Sequence, residues 1–161
     1  MPLSLLLLLG AMSGTAPLPE ELPPGAAVPA PPVARPPVVR RLQVDVHHLD
    51  TELAAASRAA AREHARVLVV LGAAWCEPCR ALDAAFARES NRELLRDWRL
   101  VELDVDALPP GPVLGLQLDT VPALVKLGPT GRPAGTLHGP RLPAMEDAPA
   151  VDRVLRQFLA P

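Results

Sequence analysis

The only two cysteines of this 161-residue chain, Cys76 and Cys79, stand three positions apart in the segment Trp-Cys-Glu-Pro-Cys. They follow an apolar run and begin a stretch with helical periodicity. A thiol at a helix N-terminus faces unpaired backbone N–H groups and the positive end of the helix dipole, and both favour the thiolate. The thiolate attacks disulfides, and a second thiol one turn away can attack the resulting mixed disulfide. The spacing therefore predicts a redox-active pair in which Cys76 attacks and Cys79 resolves.

Two other interpretations of the cysteine pair have to be weighed. A structural disulfide over so small a loop contributes little loop-closure entropy. Zinc is the usual metal for cysteine, but it needs four ligands, and none of the four histidines stands at a spacing that completes such a site (His47, His48, His64 and His138). Copper(I) needs only two soft donors and stays open as an alternative. We assign no metal ligand and expect no cofactor.

The residues beside the pair influence its chemistry in opposite directions. Glu77 places a negative charge next to Cys76 and disfavours the thiolate that the helix dipole favours. Trp75 is interpreted as structural cover or as part of a partner-contact surface. Asp104 and Asp106, at a strand end, are expected to be ordinary solvated carboxylates. The chain has a formal net charge of −2, no basic stripe and no phosphate-binding glycine loop, so nucleic acid is not an expected partner.

Hydrophobic periodicity predicts the elements that must position the cysteines. Val67–Leu71 is a continuous apolar run, the pattern of a strand buried on both faces. Prolines at 109, 110 and 112 interrupt the later part, so any helix there is short. The predicted order is a helix capped by Asp50 and ending near His64, the strand 67–71, a helix from Cys76, helical turns at 92–98, a strand at 99–105, a short helix within 113–117, strands at 123–127 and 135–138, and a helix over 147–159.

The first 40 residues differ from the rest in composition. Leu3 to Met12 is an apolar run too short to span a bilayer, and it fits the core of a secretory signal, although no Lys or Arg precedes it. Ten of the 21 prolines lie in the first 40 residues. We therefore predict a signal peptide or apolar leader at 1–16, a proline-rich linker at 17–40 and one folded domain at 41–161. The expected location is periplasmic or otherwise exported rather than cytoplasmic.

The cysteine segment and a second motif together resemble the thioredoxin-like family. Trp-Cys-x-Pro-Cys follows a buried strand, and Thr120-Val121-Pro122 stands directly before the third predicted strand. The resemblance covers about residues 60–160. It implies an α/β fold, a thioredoxin-like three-layer sandwich with a mixed four-stranded central sheet. It also implies a cis peptide bond before Pro122, and a substrate-binding surface formed by Trp75, Val121 and Pro122 beside the catalytic pair Cys76 and Cys79.

A narrower similarity is to exported thioredoxin-like domains such as the C-terminal domain of DsbD, through Cys-x-x-Cys-Arg-x-Leu-Asp and Leu103-Asp104-Val105-Asp106. The dipeptide between the cysteines, Glu-Pro, resembles that of reducing thioredoxins more than that of strong oxidants, because proline is its second residue. We therefore expect a reductase for cysteine-containing exported client proteins, which in an oxidising compartment receives electrons from a membrane partner. The alternative is a binding or assembly module, for metal delivery or cytochrome maturation. One departure from the family pattern favours that alternative slightly: Val70 replaces the buried aspartate that helps move the proton of the second cysteine.

Overall fold

The computed structural model describes residues 39–160 of the chain. The predicted leader at 1–16 and all but two residues of the predicted linker at 17–40 lie outside these residues, so both stay predictions. Within residues 39–160, no helix is long and apolar enough to cross a membrane.

The centre of the fold is a mixed five-stranded sheet with the strand order β1-β3-β2-β4-β5. The strands are β1 (Arg40–Leu42), β2 (Arg66–Gly72), β3 (Trp98–Asp104), β4 (Ala123–Leu127) and β5 (Pro133–His138). Strands β1, β3 and β2 are mutually parallel, whereas β4 is antiparallel to β2 and β5 is antiparallel to β4. The predicted mixed sheet is confirmed, but the predicted number of four strands is wrong.

The additional strand, β1, lies at the edge of the sheet and pairs with β3 in the register Arg40 with Arg99. It contains three residues, two of them arginines, and shows no alternation of apolar and polar positions. An edge strand this short is held by backbone hydrogen bonds to one neighbour, and these leave no periodic signal in the sequence. It begins at Arg40, one residue before the predicted start of the domain.

Four α-helices cover the two faces of the sheet: α1 (Leu49–Arg62), α2 (Glu77–Ala87), α3 (Glu89–Leu94) and α4 (Ala148–Leu159). Side chains of β2 alternate between the faces, because successive residues of a strand point in opposite directions. Val67 and Val69 pack with Leu53 of α1, whereas Leu68 packs with Phe86 of α2. Helices α2, α3 and α4 share that second face, which completes the three layers.

Local details differ from the sequence-based expectation near α1 and in the loop before β4. Asp50 lies inside the first turn of α1, because the chain enters this helix from a 3₁₀ turn (Val46–His48) that is capped by Asp45. Within 113–117 no helix forms. Val113 and Leu116 instead form an isolated antiparallel bridge around Leu114 and Gly115, both of which have positive φ.

Between α3 and β4, two more expectations can be compared with the structure. The helical turns predicted at 92–98 end at Leu94, because Trp98 begins β3 and lies in the core. A 3₁₀ turn over Val105–Ala107 follows β3, where no helical turn was predicted. At the other end of the domain, Asp147 caps α4 by accepting a hydrogen bond from the N–H of Ala150 at 3.0 Å.

The turn between β4 and β5 packs directly against α1. Gly131 has φ +83°, and a Cβ placed on it would lie 2.6 Å from Cα of Ala54. Both the left-handed backbone and this close approach require glycine. The hairpin is thereby fixed to the first helix of the domain.

Candidate redox site

The two cysteines lie where β2 passes into α2, as the sequence predicts. Their sulfurs are joined in a disulfide, and their Cα atoms are 5.3 Å apart. Cys76 is the N-cap of α2, with extended backbone angles, and its N–H donates to the carbonyl of Ala73 at 3.0 Å. A tight turn of small residues after Gly72 therefore places the two cysteines at the end of the sheet.

The sulfur of Cys76 takes the place of the side-chain oxygen that usually caps a helix. The N–H of Cys79 donates to Sγ of Cys76 at 3.1 Å. Pro78, in the first turn, has no N–H and so leaves no donor unpaired there. Backbone donors and the helix dipole thus act on the sulfur of Cys76, where they stabilise a negative charge once the disulfide is reduced.

The two cysteines differ in exposure. Cys76 is 3 % exposed, whereas Cys79 is half-buried. Cys79 packs against the end of β2: a Cβ placed on Gly72 would lie 3.4 Å from Sγ of Cys79. The helix-capping bond favours Cys76 as the attacking thiol, and Cys76 is the more buried of the two in the disulfide form.

That groove begins at the first turn of α2 and has a volume of about 510 Å³. Val121 and Pro122 line it together with Glu77 and Pro78, and the peptide bond between Val121 and Pro122 is cis. The cis bond inferred from the family resemblance is therefore present. Since Ala123 pairs with Leu71, the start of β4 lies beside the end of β2 that leads to the cysteines.

Trp75 does not line this groove but lies on the surface beside the pair. It is 66 % exposed, and its indole Nε1–H donates to Oδ2 of Asp106 at 2.9 Å. Oδ1 of Asp104 in turn accepts the N–H of Asp106 at 3.0 Å. Both aspartates are exposed, as expected, and Asp106 in addition orients the indole of Trp75. The signal that could have found them was the Leu-Asp-Val-Asp segment at the end of β3.

The position beneath α2 that lacks the family's aspartate is buried and apolar. Val70 is 8 % exposed and belongs to the same hydrophobic cluster as Leu82 and Phe86 of α2. Its register partner on β3 is Glu102, which forms an ion pair with Arg41. Val70, which stands where the family has a buried aspartate, therefore offers no carboxylate beneath α2.

Arg80, the arginine of the Cys-x-x-Cys-Arg-x-Leu-Asp pattern, ties α2 to the turn before it. Its guanidinium Nη1 donates to the carbonyl of Ala74 at 3.2 Å. This contact braces the turn on which Trp75 and Cys76 lie, and it directs the positive charge of Arg80 toward a backbone oxygen.

Among residues 39–160, no group of three or more His, Cys, Asp or Glu side chains is placed to hold a metal ion. His47 and His48 lie in the 3₁₀ turn before α1 and line a separate cavity with residues of the loop 108–115. Copper(I) needs only two soft donors, and the alternative that the reduced pair binds it stays a prediction.

Two carboxylates with altered pKa values lie away from the site. Burial raises the pKa of Asp152, but hydrogen bonds from Arg88 and Asn91 outweigh it, so the pKa is below its ordinary value. These bonds join α4 to the α2–α3 junction. A hydrogen bond from Arg99, aided by that residue's charge, lowers the pKa of the exposed Glu63.

Comparison with known proteins bears on the family of the chain. A family model described as thioredoxin-like matches residues 48–129, which are 82 of the 161 residues. The chain belongs to the thioredoxin-like family. The matched region includes β2, the cysteine pair and the cis bond at Val121–Pro122, so this thioredoxin-like chain carries the site within the family region. Family membership and the Cys-x-x-Cys pair support thiol–disulfide oxidoreductase activity.

Several solved structures resemble this thioredoxin-like chain at low identity. A disulphide isomerase from Xylella fastidiosa Temecula1 is 23 % identical, with 72 % of this chain and 89 % of that chain covered and a TM-score of 0.46. Thioredoxin f from spinach chloroplast is 20 % identical (62 % and 75 % covered, TM-score 0.47). A mutant thioredoxin from Halobacterium salinarum NRC-1 is 22 % identical (80 % and 96 % covered, TM-score 0.45). No curated protein matches the chain. The narrower similarity to the DsbD domain stays a prediction.

Proposed function

We propose that this protein reduces disulfide bonds of exported client proteins, with Cys76 as the attacking thiol and Cys79 as the resolving thiol. The observation that carries the proposal is the capping of α2 by Cys76, whose sulfur accepts the N–H of Cys79. A sulfur held at a helix N-terminus beside an open groove has both thiolate stabilisation and a place for a partner chain.

The reaction proceeds in two exchanges. The thiolate of Cys76 attacks one sulfur of the client disulfide, that bond breaks, and the second client sulfur leaves as a thiolate that takes up a proton. Cys79 then loses its proton and attacks the sulfur of Cys76, which breaks the mixed disulfide and releases the other client thiolate. Two electrons pass from the protein to the client, and the Cys76–Cys79 disulfide remains.

The surface around the pair supports binding of an extended client segment. Val121 and Pro122 form part of the groove wall, and the exposed indole of Trp75 offers a large apolar contact outside the groove. Because Asp106 holds the indole, less side-chain freedom is lost when a client binds. Trp75, Val121 and Pro122 are the proposed substrate-binding residues.

A reductase that acts outside the cytoplasm needs a source of electrons. We propose a membrane-bound dithiol donor, which reduces the Cys76–Cys79 disulfide by the same exchange in reverse. The apolar run at Leu3 to Met12 motivates the assignment to the periplasm or another exported location. N-terminal sequencing of the mature protein from its native host tests export, and an intact leader in the soluble cytoplasmic fraction would overturn it.

Trapping tests the roles of the two thiols. We expect the reduced Cys79→Ser variant to accumulate a mixed disulfide through Cys76 with a peptide that contains one disulfide, detected by mass spectrometry. The matched Cys76→Ser variant should accumulate none. Trapping by Cys76→Ser but not by Cys79→Ser would reverse the assignment, and trapping by neither would overturn the exchange mechanism.

The alternative is a redox-linked binding or assembly module for metal delivery or cytochrome maturation. Val70 favours it, because a buried apolar side chain beneath α2 cannot accept the proton of Cys79. Equilibration of the pair against glutathione separates the two functions. A reductase should show a more negative reduction potential than glutathione and exchange with peptide disulfides. A pair that binds copper(I) tightly but does not exchange with them supports the alternative.

A further inference from the structure

The groove beside the cysteines is apolar with two carboxylates at its rim. Its apolar lining includes Pro78, Leu142 and Met145, while Glu77 and Glu146 also line it from two different elements. Glu77 belongs to the first turn of α2, and Glu146 lies in the loop before α4. Both carboxylates are exposed, and within residues 39–160 neither forms a salt bridge.

Within the described part of the chain, no lysine or arginine lines the groove. Arg80 lies on α2 and donates to the carbonyl of Ala74, and the exposed Arg141 lies between Gly139 and Leu142, which both line the groove, without lining it itself. Asp147, which follows Glu146, is the N-cap of α4 and adds another negative charge nearby. Among the residues that line the groove, the charged side chains are therefore the carboxylates of Glu77 and Glu146.

This arrangement identifies the client chemistry by complementarity. We propose that the groove selects client segments in which an apolar residue and a lysine or arginine lie next to the reacting cysteine. The apolar residue packs against the lining, and the cation pairs with Glu77 or Glu146. Acidic segments are disfavoured because they bring like charges together at the rim. The selection rests on the proposed reductase function for its chemistry, although binding can be measured without any reaction.

Glu77 links this recognition to the reaction. Its carboxylate belongs to the residue next to Cys76 and opposes formation of the Cys76 thiolate. A cation of the client that pairs with Glu77 cancels this repulsion at the moment the client is bound. The same carboxylate therefore slows the reaction with acidic or neutral disulfides and favours the reaction with basic ones. Glu146 belongs to the loop before α4, so we expect it to affect only the binding of charged clients.

The test uses two disulfide-linked peptides of identical sequence except that lysines in one are replaced by glutamates in the other. The rate of oxidation of the reduced protein is followed by acid quenching and mass spectrometry. We expect the lysine peptide to react about five- to twentyfold faster at low ionic strength, and the difference to shrink at about 0.5 M salt. Equal rates for the two peptides would overturn the selection.

Two variants and one control assign the effect to residues. Glu146→Gln should slow the lysine peptide by about two- to fivefold, and Glu77→Gln should slow the lysine peptide while accelerating the glutamate peptide. Glu89→Gln is the matched control, because Glu89 is exposed and begins α3, beyond the far end of α2, and α2 itself rises about 15 Å from Glu77 to Ala87. Its rates should equal those of the wild type. If Glu89→Gln loses the preference for the lysine peptide, residues outside the groove are responsible for that preference.

A non-reactive peptide separates this proposal from the reductase function. Serine replaces cysteine in both peptides, and their binding to the disulfide form is measured by NMR titration. Preferential binding of the lysine peptide, with shifts at Glu77 and Glu146, supports the selection even if exchange with disulfide peptides fails. Normal exchange with no preference in either assay overturns the selection and leaves the reductase function intact.

Discussion

The indole Nε1–H of Trp75 donates a 2.9 Å hydrogen bond to Oδ2 of Asp106, a residue 31 positions later in the chain. Asp106 is itself held by the carboxylate of Asp104 through its backbone N–H. The loop after β3 thus orients an exposed aromatic side chain beside Cys76. A large apolar group that is both exposed and oriented is suited to contact a partner.

The first prediction concerns this hydrogen bond. Asp106→Ala should release the indole, so we expect faster solvent exchange of the Trp75 indole N–H in NMR spectra and a reduction of peptide disulfides about two- to fivefold slower. The indole N–H of the buried Trp98 serves as an internal reference. Asp119→Ala is the control, because Asp119 is exposed in the same loop. An unchanged Trp75 exchange rate in Asp106→Ala would contradict the assignment.

The second prediction concerns the missing carboxylate beneath α2. Val70→Asp should lower the free energy of unfolding by about 3 kcal/mol, because it buries a polar group among apolar neighbours. In the folded protein it should accelerate attack by Cys79 on the mixed disulfide, since the carboxylate can accept the thiol proton. Urea unfolding measures the stability, and quenched flow measures the rate at which Cys79 resolves the mixed disulfide.

Val70→Asn provides the matched control for this change. It introduces a side chain of the same shape that cannot take up a proton near neutral pH. We expect a similar loss of stability without acceleration. If Asn accelerates resolution as much as Asp does, polarity or loosened packing rather than proton transfer controls the step.

The third prediction concerns the hairpin turn against α1. Gly131→Ala should lower the free energy of unfolding by about 2–4 kcal/mol, because it adds a methyl group 2.6 Å from Cα of Ala54 at a positive φ. Gly115→Ala is the control: Gly115 also has positive φ, but a Cβ there meets nothing within 4 Å. That variant should lose only about 1 kcal/mol. Equal losses in urea unfolding would show that the contact with Ala54 contributes nothing.

The fourth prediction concerns the pH dependence of stability. The pKa of Asp152 is lowered in the folded protein despite the opposing effect of burial, because Arg88 and Asn91 donate hydrogen bonds to its carboxylate. A lowered folded pKa contributes stability that is present above the ordinary value of about 3.9 and is lost as pH falls through the folded value. The side chain is only 17 % exposed, so water screens these contacts weakly.

Asp152→Asn should therefore cost about 1–3 kcal/mol at pH 7, and the difference from wild type should shrink below about pH 4. The control is Asp83→Asn, which removes an exposed ion pair with Arg41 and should cost less than about 1 kcal/mol. Urea unfolding at neutral pH and at about pH 3 measures both. A difference for Asp152→Asn that stays constant over this range would contradict the linkage.

Local patterns of residues were sufficient to predict the helices and strands around the cysteine pair. The apolar run in β2, the helical periodicity after Cys76 and the strand after Pro122 all have the predicted type and nearly the predicted bounds. Each signal is carried by neighbouring residues, since the directions of side chains in a helix or strand repeat over a few positions. The cysteine pair at a helix N-terminus is part of this local information.

The contacts between residues far apart in the chain became visible in the packed fold. It added β1 beside β3, placed Asp106 against the indole of Trp75, and joined Asp152 to Arg88 across 64 positions. It also brought Glu146 to the same groove as Glu77. Such pairings follow from how layers pack and loops return, and they leave no periodic trace in the chain. The sequence therefore indicated the redox chemistry, whereas the packed fold determined the surface that a client would contact.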